Sequence, residues 1–165
     1  MEVTGRSGWS VRAEPVDRVP ATSLLREYFT EMVGRYYRRP ADPAEIDAAM
    51  VEAPSDDLTF PDGLFLLARY LGEPGGCVGL RLRTTPFAEI TRLFVRPEVR
   101  GRGGGARLLA EVEAAATAYG ATALRLDTRE DLIEARSLYA KHGFREIPPY
   151  SDAPYADHWF EKRLG

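Results

Sequence analysis

At 165 residues the chain is long enough to bury a sizeable core in one domain and short for two. Its formal charge of −3, from 22 basic and 25 acidic side chains, argues against a general binder of nucleic acid or of anionic membranes. A lone cysteine, Cys77, cannot close an internal disulfide, and no apolar run approaches the roughly 18 residues of a membrane span. The opening MEVTGRSGWSVR lacks a signal peptide's apolar core, so a soluble, cytoplasmic protein is expected.

Residues 1–8 are polar and glycine-containing, an expected flexible tail ahead of a domain spanning 9–165. Trp9 to Glu14 alternate apolar and polar, the pattern of a first strand that Pro15 ends. Over residues 21–37 the positions Leu24, Leu25, Tyr28, Phe29, Met32, Val33 and Tyr36 form a helical stripe. Arg35, Arg38 and Arg39 gather at its C-terminal end. They read either as surface charge favoured by the helix dipole or, with Tyr36 and Tyr37, as part of an acceptor-binding wall. A second helix is predicted over Pro43–Glu52, with Asp42 as N-cap and Pro43 at its first position.

Gly63–Leu71 is short and continuously apolar, which predicts a buried strand. A turn over Gly72–Gly76 should return the chain antiparallel through Cys77–Thr84. Cys77 sits inside that strand as a small core hydrophobe. Downstream, Ala123–Asp127 reads as a strand, Glu130–His142 as a helix capped by Gly143, Phe144–Ile147 as a strand start, and Asp157–Arg163 as the last strand. The order β-α-α-β-β-β-α-β-α-β-β describes one mixed α/β domain around a central sheet.

Residues 87–120 carry the chemistry. Glu89–Val95 reads as a strand stopped by Pro97, and Ala106–Tyr119 as a helix ended by Gly120. Between them lies Arg100-Gly101-Arg102-Gly103-Gly104-Gly105. A glycine turn between a strand and a helix N-terminus points successive amides at one spot, and the helix dipole adds roughly half a positive charge, so an anion such as phosphate is expected there. A dinucleotide-binding turn would sit in an initial parallel βαβ unit with an acid about 20 residues on; here Tyr119-Gly120 stand near that place. A P-loop needs Gly-Lys-Ser/Thr, which is absent.

These residues resemble the GNAT superfamily of acetyl-coenzyme A-dependent N-acyltransferases. The likeness rests on Arg100 to Gly105 as Arg/Gln-x-x-Gly-x-Gly/Ala and on Leu93-Phe94-Val95-Arg96-Pro97-Glu98 directly before it. Ala135-Arg136-Ser137-Leu138-Tyr139 and Gly143-Phe144-Arg145-Glu146-Ile147 follow in the family's order, and Gly143 to Tyr150 resembles a small-substrate branch. The likeness spans about residues 9–163 and implies the GNAT fold with acetyl-CoA as acyl donor. It further implies pantetheine pairing with the backbone of Leu93, Phe94 and Val95, and pyrophosphate on the amides from Arg100 through Gly101, Arg102, Gly103, Gly104 and Gly105 to Ala106. Physical chemistry agrees: a splayed strand offers free amides, and glycines lack a Cβ that blocks a phosphate.

Acetyl transfer to an amine requires that the ammonium lose a proton, that a developing oxyanion be stabilised, and that the thiolate gain a proton. The strand amide of Val95 is the expected oxyanion donor. Glu89 resembles the catalytic glutamate of histone-acetylating members and is the expected base. It shares a sheet face with Thr91, Leu93 and Val95 unless a bulge intervenes. Tyr139 matches the family tyrosine near the coenzyme sulfur and is the expected acid. Asp127, at a strand end, is a further candidate for binding the acceptor amine or ordering water. His142 reads as a helix-end residue, and His158 has no visible partner. No His/Cys/Asp cluster has metal-ligand spacing, so no metal is implied. The expected acceptor is a small-molecule or amino-acid-like amine. A non-catalytic acyl-CoA sensor and a protein lysine or N-terminal acyltransferase remain alternatives. Such folds commonly form a homodimer, the oligomer that the resemblance implies.

Overall fold

The computed structural model describes residues 8–82 and 86–165. The first seven residues of the expected tail, and the end of the strand expected to reach Thr84, lie outside them. The elements are β1 (Trp9–Ala13), α1 (Ala21–Tyr37), α2 (Pro43–Glu52), β2 (Gly63–Tyr70), β3 (Glu73–Arg81) and β4 (Phe87–Val95), followed by α3 (Gly104–Ala118), β5 (Ala123–Thr128), α4 (Ile133–Lys141), β6 (Arg145–Ile147) and β7 (His158–Arg163). The strands form one seven-stranded sheet in the order β1-β2-β3-β4-β5-β7-β6. Neighbours are antiparallel except β4 and β5, which run parallel.

Local chemistry sets most boundaries. At α2 the Asp42 side chain accepts from the Ala44 amide at 2.9 Å, while Glu45 accepts from the Asp42 amide at 3.0 Å, a reciprocal cap. The β2–β3 turn is tighter than expected. Leu71 and Gly72 both take positive φ, 50° and 88°, as a two-residue hairpin turn requires, so Glu73–Gly76 belong to β3. Helix α3 starts two residues before its expected Ala106, because Gly103 at φ 84° caps it. Its end at Ala118 leaves Tyr119 48% exposed rather than on the buried stripe. Helix α4 starts three residues later than expected, because Arg129 grips Asp131 and the Leu132 amide donates to the Arg129 carbonyl in a tight turn first.

Two apolar clusters sandwich the sheet. Helix α3, through Leu108, Leu109 and Val112, packs with Trp9, Val78, Leu80 and Ile90 on one face. Leu24 and Leu25 of α1 pack with Leu67, Cys77 and Phe94 on the other. Cys77 is fully buried, and burial pushes its thiol up to about 12, so it is the core hydrophobe expected.

Strand β4 changes face halfway along. Gly79 stands opposite Thr91 and Cys77 opposite Phe94, so Val78 alone faces Arg92 and Leu93. This is a bulge, with Arg92 at φ 54°. Ala88 and Ile90, then Leu93 and Val95, pack on the α3 side, whereas Phe94 packs on the α1 side. A bulge does intervene, so Glu89 does not share a face with Leu93 and Val95. Glu89 and Thr91 share the α1 side with Phe94.

The bulge is clamped. Buried Arg92 donates to Ser55 Oγ at 2.8 Å, Thr91 Oγ1 at 2.9 Å and the Ala53 carbonyl at 2.9 Å. A lysine offers point-like donors and cannot span these acceptors together. Arg92→Lys should lower unfolding free energy by about 2 kcal/mol in urea denaturation. An unchanged midpoint would remove Arg92 from the role of clamp.

Candidate active site

Beyond the 3-10 turn Pro97–Val99 the chain passes through Arg100 to Gly103 into α3. Gly101 and Gly103 have φ of 78° and 84°, and a Cβ added to either would meet nothing within 4 Å. Their side of the turn is open. The first helical bond runs from the Arg107 amide to the Gly103 carbonyl at 3.0 Å, which leaves the amides of Gly104, Gly105 and Ala106 outside the helix ladder. Gly104 and Gly105 are glycine for another reason. A Cβ at Gly104 would stand 2.6 Å from the Trp9 ring, and one at Gly105 would stand 2.9 Å from Leu138. The Trp9 indole, itself fully buried, donates to the Arg102 carbonyl at 2.8 Å and supports the turn from beneath.

The two loop arginines are partly committed within the fold. Arg100 donates to the Val95 carbonyl at 2.8 Å and pairs with Glu31 at 2.7 Å. Arg102 lies over the Tyr70 ring, 5.3 Å from its centroid. Arg96, four residues before Arg100, pairs with Glu27, four residues before Glu31, at 2.6 Å. The two bridges tie α1 across the end of β4. Each is partly exposed and worth about 0.2–1 kcal/mol, so they orient more than they stabilise.

A cleft opens between β4 and β5. Their ladder joins Phe87, Ala88 and Glu89 to Ala123, Leu124 and Arg125, and stops there. Past it, β4 continues to Val95 and β5 to Thr128 without pairing. Leu93, Phe94 and Val95 thus lie on the splayed part of β4, running into the glycine turn. Phe94 is buried in the α1-side core, so only its backbone is suited to a ligand.

Glu89 and Asp127 approach each other at the root of the cleft. Glu89 pairs with Arg81 at 2.8 Å, and Arg81 also holds Asp57 at 2.8 Å. Asp127 lies two residues beyond Arg125, the parallel partner of Glu89, and so faces the same side. Its side chain is exposed to solvent yet crowded by protein. Desolvation first, then the Glu89 charge, raises its pKa, partly offset by Arg81. Its carboxylate has no hydrogen bond or ion pair among the described residues.

Three tyrosines complete the surroundings. Tyr139 is buried against Phe144 and Phe160, and burial raises its pKa, helped by Tyr28 and Asp127. Tyr28 stands edge-on to Phe94 and is likewise raised by burial. Tyr150, over the Arg125 guanidinium, has a buried hydroxyl without a hydrogen-bond partner. Its pKa is raised by burial and by the nearby Glu89 and Asp127 charges, although neither carboxylate accepts a bond from it in this arrangement. Tyr150, Arg81 and Asp57 are functional neighbours that sequence reasoning did not single out. Antiparallel pairing of β3 with β4 could have set Arg81 opposite Glu89. Tyr150 follows two prolines in an irregular segment and carried no periodic signal.

Other candidates lie elsewhere. His158, expected without a partner, has its Nδ1 2.9 Å from Glu146 and its Nε2 3.2 Å from Arg136. His142 is the C-cap residue of α4. At the end of α1, Arg39 forms a two-pronged pair with Glu45, whereas Tyr36 and Arg38 line an open depression with Arg129 and Tyr155. Among the described residues no group of His, Cys, Asp or Glu is arranged to hold a metal, and no helix is long and apolar enough to cross a membrane.

Residues 22–144 match the Acetyltransferase (GNAT) family, and the chain belongs to that family. It is 38% identical over 99 residues to the IAA acetyltransferase of Azospirillum brasilense, a stretch covering 59% of this chain and 63% of that protein. The fold is shared with a GNAT-family acetyltransferase from Staphylococcus aureus at a TM-score of 0.75 and 20% identity, over 95% of this chain and 99% of that one. It is shared also with PaiA N-acetyltransferase from Thermoplasma acidophilum, solved in complex with coenzyme A, at a TM-score of 0.70 and 23% identity, over 94% and 99% of the respective chains.

Proposed function

We propose that the protein transfers an acetyl group from acetyl-CoA directly to the primary amine of a small-molecule or amino-acid-like acceptor. The observation that carries the reading is a glycine turn with one open side, reached from a strand whose outer edge is unpaired. The residues fit the coenzyme: Gly101 and Gly103 keep the open side of the turn clear of side chains, and the amides of Gly104, Gly105 and Ala106 stand outside the helix ladder at a helix N-terminus. The backbone of Leu93, Phe94 and Val95 then receives the pantetheine amides as an added strand would. Arg100, Arg102 and the turn amides take the pyrophosphate. The Val95 amide is the assigned oxyanion donor.

Acetyl-CoA, when bound, supplies the thioester carbon and a thiolate leaving group. Glu89 and Tyr139 are the assigned catalytic side chains. Glu89 lies on the cleft side where an ammonium would approach. Tyr139, whose burial keeps it protonated through neutral pH, donates to the departing sulfur. Two carboxylates among three tyrosines suit an ammonium group. The relative named as an IAA acetyltransferase is consistent with a small acceptor.

Two variants separate binding from chemistry. Gly103→Val forces a branched side chain into the left-handed region, at a cost of about 1–3 kcal/mol, and places it on the open side of the turn. Calorimetry should find coenzyme A binding abolished; retained affinity would sink the loop assignment. Tyr139→Phe should lower kcat about 10²-fold with coenzyme affinity unchanged, read from thiol release. Full turnover would remove Tyr139 from the acid role.

A further inference from the structure

We infer that Asp127, rather than Glu89, receives the proton from the acceptor ammonium, and that Glu89 acts as a fixed anion that draws the ammonium into the cleft. This rests on the acetyltransferase reading above and divides the work of its two carboxylates.

Glu89 is tied at 2.8 Å to Arg81, which is itself fixed by Asp57 at 2.8 Å. A carboxylate in such a bridge is stabilised as the anion and gives up part of that pairing if it accepts a proton. Asp127 has no such partner among the described residues. It sits on the adjacent strand, on the same face, where the β4–β5 ladder has ended. Accepting a proton would cost Glu89 its bridge to Arg81 and would cost Asp127 none, and the Glu89 charge raises the proton affinity of Asp127.

The surroundings of Asp127 agree from every side. Glu89 on β4 raises its proton affinity, and Arg81 on β3 lowers it by less than burial raises it. Tyr28 of α1, Tyr139 of α4 and Tyr150 before β7 all feel its charge, and each has a phenol held protonated by burial. Arg129, two residues along, is spent on Asp131 and the Met32 carbonyl. The buried Tyr150 hydroxyl has no hydrogen-bond partner among the described residues and feels the charges of both Glu89 and Asp127.

The ammonium gives one proton to the Asp127 carboxylate, and the freed lone pair forms the C–N bond to the acetyl carbon as the C–S bond breaks. Tyr139 gives its proton to the thiolate and recovers one from the acceptor nitrogen. Asp127 then loses its proton to solvent.

The test uses the full chain with acetyl-CoA and a panel of alkylamines, arylalkylamines, polyamines and amino-acid amides, taking the fastest acceptor forward. Asp127→Asn should lower kcat/KM about 10²-fold at neutral pH, and the loss should shrink as alkaline pH frees the amine itself. Glu89→Gln should act mainly on the KM for the amine and keep the acid limb of the pH profile. Because Asp127 is raised, that limb lies above the ordinary carboxylate range, and activity falls as pH drops through it. In Glu89→Gln the limb should move toward lower pH, since a repelling charge has gone and Arg81 is released. Carbon-13 NMR titration of Asp127 should move likewise, and it reads the pair even if a variant turns over poorly. A limb abolished by Glu89→Gln and intact in Asp127→Asn would overturn the assignment. If coenzyme A binds but no amine is acetylated, the acetyltransferase reading fails, and the inference fails with it.

Discussion

A parallel ladder between β4 and β5 that stops after Glu89 governs the geometry of this protein. Sheets gain by pairing backbone groups, and amides left unpaired inside a fold need water or a ligand. Here the parting of the strands is fixed on both sides. On β4 the Arg92 bulge turns the chain, and its guanidinium ties the bulge to the segment between α2 and β2. At the strand's end Arg96 and Arg100 fasten the outgoing chain to Glu27 and Glu31 of α1. The cleft is thereby preformed, and its free edge leads directly into the glycine turn.

The same bulge decides the electrostatics. By switching the side of the chain after Thr91, it leaves Glu89 facing the cleft with Asp127 while Leu93 and Val95 turn to the α3 core. Arg81 then bridges Glu89 from the neighbouring strand, and Asp127 has no ion pair among the described residues in a crowded, partly desolvated place. An overall charge of −3 gives no hint of this arrangement. A local cluster of two carboxylates and three tyrosines suits a cationic acceptor, whereas the turn at the other end of β4 suits an anionic coenzyme.

Much of this was legible in the sequence because it is local. The period of α1, the Asp42-Pro43 start of α2, and Gly120 and Gly143 at left-handed positions all follow from short-range chemistry. So does the strand–turn–helix at 87–118, although only the structure separates glycines that face open space, Gly101 and Gly103, from those that make room for Trp9 and Leu138. The bulge could be anticipated but not placed: Glu-Ile-Thr-Arg-Leu-Phe-Val over 89–95 holds no breaker, and the extra residue exists only relative to β3. Tyr150 was hidden for a similar reason: its partners come from β4 and β5, more than twenty residues away in sequence.

Amide hydrogen exchange with and without coenzyme A tests the central claim most directly. Binding should slow exchange at Leu93 and Val95 and at Gly104, Gly105 and Ala106, while the paired strands β2 and β3 stay unchanged. Protection confined to other elements, with these five amides still exchanging freely in the bound protein, would contradict the account.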